Sequence, residues 1–187
     1  MQLYALCDAT TLEKRGKSLE DFVAYARQHN ASVIQYRNKN ESIKKVKQAL
    51  VQLRELWDKE LIINDYIELI SFCDGIHLGQ EDLLRFGQDV ETAAKNVREI
   101  IKDEKIFGIS THNKEEILQA NELELNYIGL GAFRATHTKD VPNILGDNLD
   151  KLASLSKFPV GAIGGVQLSD TFSNVKYLVV GSDLYED

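Results

Sequence analysis

The chain has 187 residues, enough for one domain with a sizeable core, and its 43 % hydrophobic and 27 % charged residues are those of an ordinary globular protein. A net charge of −7 argues against nonspecific binding to nucleic acid or an anionic membrane, while a local basic site can still hold a phosphate. There is no charged-then-apolar leader and no apolar run near the roughly 18 residues of a membrane helix. Cys7 and Cys73 lie within apolar segments and read as buried, reduced thiols of a cytoplasmic protein.

In chain order, β-branched and apolar runs alternate with helical patterns. The first strand is expected at Gln2–Cys7. Asp8-Ala-Thr-Thr-Leu-Glu follows it, where a doubly wound nucleotide binder would carry a glycine fingerprint. Ser18-Leu-Glu-Asp21 is a capping-box variant that opens a helix over Leu19–His29, with Phe22, Val23 and Ala26 on one face. A strand at Ser32–Tyr36 precedes a second helix, on which Ile43, Val46, Leu50, Leu53 and Leu56 recur at helical spacing. Strands at Leu61–Asn64 and Gly75–Leu78 come next, then a helix over Val90–Ile101. A strand at Ile106–Ser110 leads to a helix at Lys114–Ala120, and one at Tyr127–Gly131 to a shorter helix at Asn148–Leu155. The last strands are Val160–Gly164 and Tyr177–Gly181.

Several of the eight strands are continuous apolar runs, as parallel strands covered on both faces require. Eight of them, with polar groups at their C-terminal ends and no glycine fingerprint, predict a single-domain (β/α)8 TIM barrel over residues 1–187, in the α/β class. The chain reaches Asp187 six residues after Gly181, and Val166–Lys176 is a short connection. The last helix is therefore expected to be missing or truncated.

The most telling strand end is Gln35-Tyr36-Arg37-Asn38-Lys39. Alternation puts Gln35, Arg37 and Lys39 on one face, where an amide, a guanidinium and an ammonium suit a heteroaromatic ring beside a phosphate. A solvated edge strand is the plainer alternative. Asp65 and Asp82 follow the third and fourth strands, and two carboxylates with waters and phosphate oxygens suit Mg²⁺. Either aspartate alone reads more readily as a helix N-cap; the pair beside a basic strand end reads as a metal site.

Ser110 is placed to donate to a ring nitrogen or a phosphate, or else to cap the helix near Lys114. His112 is a candidate proton shuttle, while His29 and His77 read as structural. Thr136, Thr138 and Lys139 form a polar loop able to close over an anion. Gly164-Gly165 and Gly181-Ser182 end the last two strands, where phosphate sites recur in this fold.

In order, Gln35-x-Arg37-x-Lys39, Asn64-Asp65, His77-x-Gly79-Gln80-x-Asp82, Gly108-x-Ser110-x-His112, Thr136-x-Thr138-Lys139, Gly164-Gly165 and Ser182 resemble the thiamine phosphate synthase family from first strand to last. The resemblance implies a (β/α)8 barrel, commonly dimeric, that joins a hydroxymethylpyrimidine diphosphate to a thiazole phosphate with loss of pyrophosphate. It implies that Gln35, Arg37, Lys39 and Asn64 hold the pyrimidine and its diphosphate, and that Asp65 and Asp82 bind Mg²⁺. It also implies that Ser110 touches the pyrimidine, that Thr136, Thr138 and Lys139 bridge the diphosphate, and that Gly165 and Ser182 hold the thiazole phosphate. Arg37, Lys39, Lys139 and Ser110 are the expected catalytic groups. Two positions depart from the family's usual pattern: Ala135 stands where proline is common, and Tyr66 where arginine often follows Asn-Asp. Two other readings compete. A thiazole tautomerase of similar sequence would use His112 as acid–base and need no metal, and a noncatalytic barrel would only bind a phosphorylated ligand.

Overall fold

A computed structural model describes residues 1–135 and 144–185. Eight parallel strands close into a barrel in sequence order, the first pairing with the last. They are β1 (Gln2–Asp8), β2 (Val33–Arg37), β3 (Glu60–Asn64), β4 (Gly75–Leu78), β5 (Ile106–Thr111), β6 (Tyr127–Leu130), β7 (Val160–Ala162) and β8 (Tyr177–Val180). The helices are α1 (Ala9–Lys14), α2 (Leu19–Gln28), α3 (Ile43–Leu56), α4 (Gln80–Leu83), α5 (Val90–Ile101), α6 (Lys114–Ala120) and α7 (Asn148–Ala153). Short 3₁₀ turns lie at Ile67–Phe72, Leu84–Phe86 and Ser182–Tyr185. The expected truncated last helix corresponds, within the described residues, to the turn Ser182–Tyr185, and no helix lies between β7 and β8. No helix among the described residues is long and apolar enough to cross a membrane.

Strand alternation divides the core in two. Ala5, Ile34, Leu61, Ile63, Ile76, Phe107, Ile109, Ile128 and Val180 point outward and meet the helices' apolar stripes, including Phe22, Val46, Leu50, Leu53 and Val97. The other set fills the barrel: Tyr4, Val33, Ile62, Tyr127 and Val179, with Leu6, Ile106, Ile163 and Tyr177 packed against them. Helix α2 begins as its sequence predicts: Asp21 N–H donates to Ser18 Oγ and Ser18 N–H to Asp21 Oδ2.

Two elements depart from expectation. Asp8-Ala-Thr-Thr-Leu-Glu is the start of α1, with Asp8 as N-cap accepting from Thr11 N–H at 2.9 Å. The segment buries only Leu12, too little apolar surface to give a helical period. Strand β7 stops at Ala162, because Gly164 and Gly165 turn the chain at φ +85° and +67°. Side chains there would collide: a Cβ on Gly164 would lie 2.5 Å from Ala132 Cβ, and one on Gly165 2.8 Å from Arg134 Cβ.

Candidate active site at the strand C-termini

Parallel pairing brings the polar strand ends to one mouth. Asp8 and Arg37 are partners in the β1–β2 register, and the guanidinium donates from Nη1 to Asp8 Oδ2. Asp8 thus joins the site while its other oxygen caps α1. Sequence reading passed over Asp8; the signal was an acid at the strand end next to Arg37's strand.

Lys39 lies beyond the end of β2 and its Nζ sits between two carboxylates, 3.0 Å from Asp65 Oδ2 and 3.2 Å from Asp82 Oδ2. Burial opposes the ammonium, but the two carboxylates outweigh it and raise its pKa. For Asp65, burial dominates and, with the Asp82 charge, raises the carboxyl pKa despite Lys39. Asp65 Oδ1 is buried without a hydrogen-bond partner, and the residue takes φ +72°. Neither aspartate fills the N-cap role that was the plainer alternative: Tyr66 precedes the turn Ile67–Phe72, and Gly79 precedes α4, within which Asp82 lies. An orphaned carboxylate oxygen near a second carboxylate fits a hard cation that supplies its own waters. Among the described residues, no three His, Cys, Asp or Glu gather as an all-protein metal cage.

The uncharged part of the site lies inside the barrel. Gln35 Nε2 donates to Tyr4 Oη at 2.7 Å, and Tyr4 Oη lies 2.9 Å from Tyr127 Oη. Tyr127 Oη is 2.9 Å from His77 Nδ1, whose Nε2 is 2.9 Å from Ser110 Oγ. Burial lowers the His77 pKa from 6.5 to about 4, with the neighbouring His112 adding to it, and burial raises both tyrosines'. Ser110 therefore does not cap the helix after β5: that helix is capped by Asn113, accepting from Glu116 N–H. His77, read from sequence as structural, is the ring that holds Ser110. Gln80 Nε2 also donates to Ser110 O at 2.6 Å, tying α4 to β5.

The remaining candidates are more scattered. Asn64 ends β3 and is buried at 7 % exposure. His112 lies between β5 and α6, and its Nδ1 is 2.9 Å from Glu116 Oε2 on α6, a local contact that is not a link of the Ser110 chain. Gly165 O accepts from Arg134 Nη1, and Arg134 also forks onto both oxygens of Asp170 at 2.7 and 2.8 Å. Ser182 is exposed at the start of the final turn. Thr136, Thr138 and Lys139 lie outside the described residues.

A closed parallel barrel with its charged groups gathered at the strand C-termini is the architecture of barrel enzymes, whose chemistry sits at that end. The family described as thiamine monophosphate synthase matches residues 3–179, and the chain belongs to it. It is 38 % identical over 172 residues to the thiamine-phosphate synthase of Persephonella marina, covering 89 % of this chain and 77 % of that one. Against the thiamine-phosphate synthase of Caldicellulosiruptor saccharolyticus it is 36 % identical, over 84 % and 71 % of the two chains. The thiamine phosphate pyrophosphorylase structure from Pyrococcus furiosus superposes with a TM-score of 0.69 at 28 % identity, covering 89 % of this chain and 76 % of that one. A geranylgeranylglyceryl phosphate synthase from Thermoplasma acidophilum, at 13 % identity and TM-score 0.66 over 100 % of this chain and 87 % of that one, shares the fold alone.

Proposed function

We propose that the protein is a Mg²⁺-dependent thiamine phosphate synthase. It joins hydroxymethylpyrimidine diphosphate to thiazole phosphate and releases pyrophosphate. The observation that most favours this reading is the Lys39 ammonium held between Asp65 and Asp82, beside Arg37 and next to the uncharged Gln35–Ser110 chain. A tautomerase has no diphosphate to hold and no use for two cations and three acids at this place.

In this mechanism the carbon–oxygen bond to the diphosphate breaks and the electron pair leaves with pyrophosphate. Arg37 and Lys39 stabilise the charge that grows there, as charged donors in a half-buried site. Arg37 keeps its Asp8 contact on one nitrogen and offers its other N–H groups to phosphate oxygens. Asp65 and Asp82 are the residues that would hold Mg²⁺, with the Lys39 ammonium between them within reach of the same diphosphate. Mg²⁺ bound there would supply charge neutralisation for the leaving group. Gln35 and Ser110 orient the aminopyrimidine, whose ring delocalises the positive charge until the thiazole nitrogen attacks and the new carbon–nitrogen bond forms. No protein nucleophile is required. Lys139, Thr136 and Thr138 are assigned to the diphosphate side, and Gly165 and Ser182 to the thiazole phosphate. A cytoplasmic setting, supported by two buried unpaired cysteines, and the dimeric state common in this family complete the reading.

The test is to mix purified protein with both substrates, with and without Mg²⁺, and follow pyrophosphate, running thiazole isomerisation in parallel. Mg²⁺-dependent release is expected. Isomerisation without release would replace the reading by the tautomerase.

A further inference from the structure

The barrel interior holds a continuous polar chain within an otherwise apolar filling: Gln35, Tyr4, Tyr127, His77 and Ser110, from strands β2, β1, β6, β4 and β5. Room is made for it. A Cβ on Gly108 would lie 2.2 Å from the Tyr127 ring, and one on Gly129 would lie 3.1 Å from His77 Cε1. A tyrosine pair and a histidine in a barrel interior cost desolvation that phenylalanine and leucine would avoid, so packing alone does not account for them.

The chain has a direction. Gln35 donates to the Tyr4 oxygen, so the Tyr4 hydroxyl proton goes to Tyr127, and the Tyr127 proton to His77 Nδ1. A neutral imidazole then carries its proton on Nε2 and donates it to Ser110 Oγ. The Ser110 hydroxyl proton is left over for a ligand. At the other end, the Gln35 carbonyl oxygen has no hydrogen-bond partner among the described residues and is not among their sealed polar atoms. One end offers a donor and the other an acceptor. The opposite sense would require the Gln35 amide to be turned over, with every bond along the chain reversed.

We propose that Tyr4, Tyr127 and His77 are positioning residues that fix Ser110 as a donor and Gln35 as an acceptor toward the substrate, and thereby select an aminopyrimidine over its 4-oxo counterpart. The proposal rests on the synthase reading above. An aminopyrimidine edge presents a ring nitrogen that accepts and an exocyclic amino group that donates. The 4-oxo compound of the same shape presents a ring N–H and a carbonyl, wrong at both places. Because the chain's ends are linked through shared protons, neither adapts alone: the 4-oxo compound is matched only when the buried Gln35 amide turns over and all the bonds of the chain reverse together. Leaving the groups mismatched, or reversing the whole chain to match them, is expected to give a discrimination of about a hundredfold.

The experiment measures binding of the aminopyrimidine diphosphate and its 4-oxo counterpart by calorimetry, with Mg²⁺, to the wild-type chain, Tyr127→Phe and Tyr4→Phe. Each variant keeps the ring and removes one hydroxyl. Wild type is expected to prefer the amino compound by about a hundredfold, and either variant by about tenfold or less. Turnover of the amino compound by the variants, analysed as kcat against KM, is expected to show the loss mainly in KM, as removal of binding shared by the ground and transition states requires. If either folded variant keeps the full preference, the tyrosines only fill space and the proposal fails. If wild type binds the two compounds alike, the proposal fails even without variants. Binding with full discrimination but no pyrophosphate release would instead overturn the synthase reading and leave the chain's role in recognition standing.

Discussion

Lys39 is the residue on which the charged half of the site turns, since it holds together two carboxylates that would otherwise repel across the mouth. Their roles separate under substitution. Asp82→Ala is expected to lower kcat by about 10²-fold or more while the circular dichroism spectrum stays native; an unchanged rate would reduce Asp82 to a surface acid of α4. Asp65→Asn is expected to abolish turnover yet raise the melting temperature at neutral pH. The folded-state pKa of Asp65 is raised, so ionisation disfavours folding as pH rises through that value, and a neutral amide removes the penalty. Asparagine also tolerates the φ of +72° better than most residues. At this scale the charged groups were legible because Arg37, Lys39, Asp65 and Asp82 stand at strand ends, where polar residues have no packing reason to be. Asp8 was not, because its pairing with Arg37 exists only through the β1–β2 register. Tyr4, Tyr127 and His77 were hidden for another reason: a tyrosine in an apolar strand reads as filling, and only closure of the barrel brings the three hydroxyl and imidazole groups into one line.

Among elements, the long helices are the most strongly specified. The periodicities of Ile43–Leu56, Val90–Ile101 and Lys114–Ala120 gave their bounds because each has a continuous apolar stripe to bury. Helices α1 and α4 were not foreseen, at six and four residues with one buried side chain apiece; α1 is held by its local Asp8 cap and α4, which has no side-chain cap, by the Gln80 bond to Ser110 O. The capping box of α2 gives a direct check. Ser18→Ala removes the acceptor for Asp21 N–H and is expected to cost about 1 kcal/mol, lowering Tm by roughly 2–4 °C without altering turnover, as differential scanning calorimetry and a steady-state assay would report. The interior of the barrel is less forgiving. Gly108→Ala would drive a methyl group into the Tyr127 ring at 2.2 Å, and is expected to lower both stability and substrate binding, measured by the same two methods.

For the whole molecule, acid sensitivity follows from the buried imidazole. The unfolded chain takes up a proton at His77 near pH 6.5, whereas the folded chain resists until about pH 4. Between those values the unfolded state binds more protons, so stability is full above the window and falls as pH drops through it. From pH 7 to pH 5 the loss is about 2 kcal/mol, to be read from urea unfolding at each pH. A His77→Gln variant is expected to show a flatter dependence, and an equal slope in both proteins would assign the acid sensitivity elsewhere. The barrel itself was legible from eight strand-like runs with polar C-terminal ends, and closure in the order β1 to β8 follows from that alternation.

The synthase account is tested most directly by one quenched time course in which pyrophosphate and thiamine phosphate are both quantified, with Mg²⁺ and both substrates present. The account predicts that the two products rise in a 1:1 ratio, that omission of either substrate abolishes both, and that chelating the metal stops them together. Pyrophosphate appearing without thiamine phosphate, or neither product appearing while thiazole isomerisation proceeds, would contradict it.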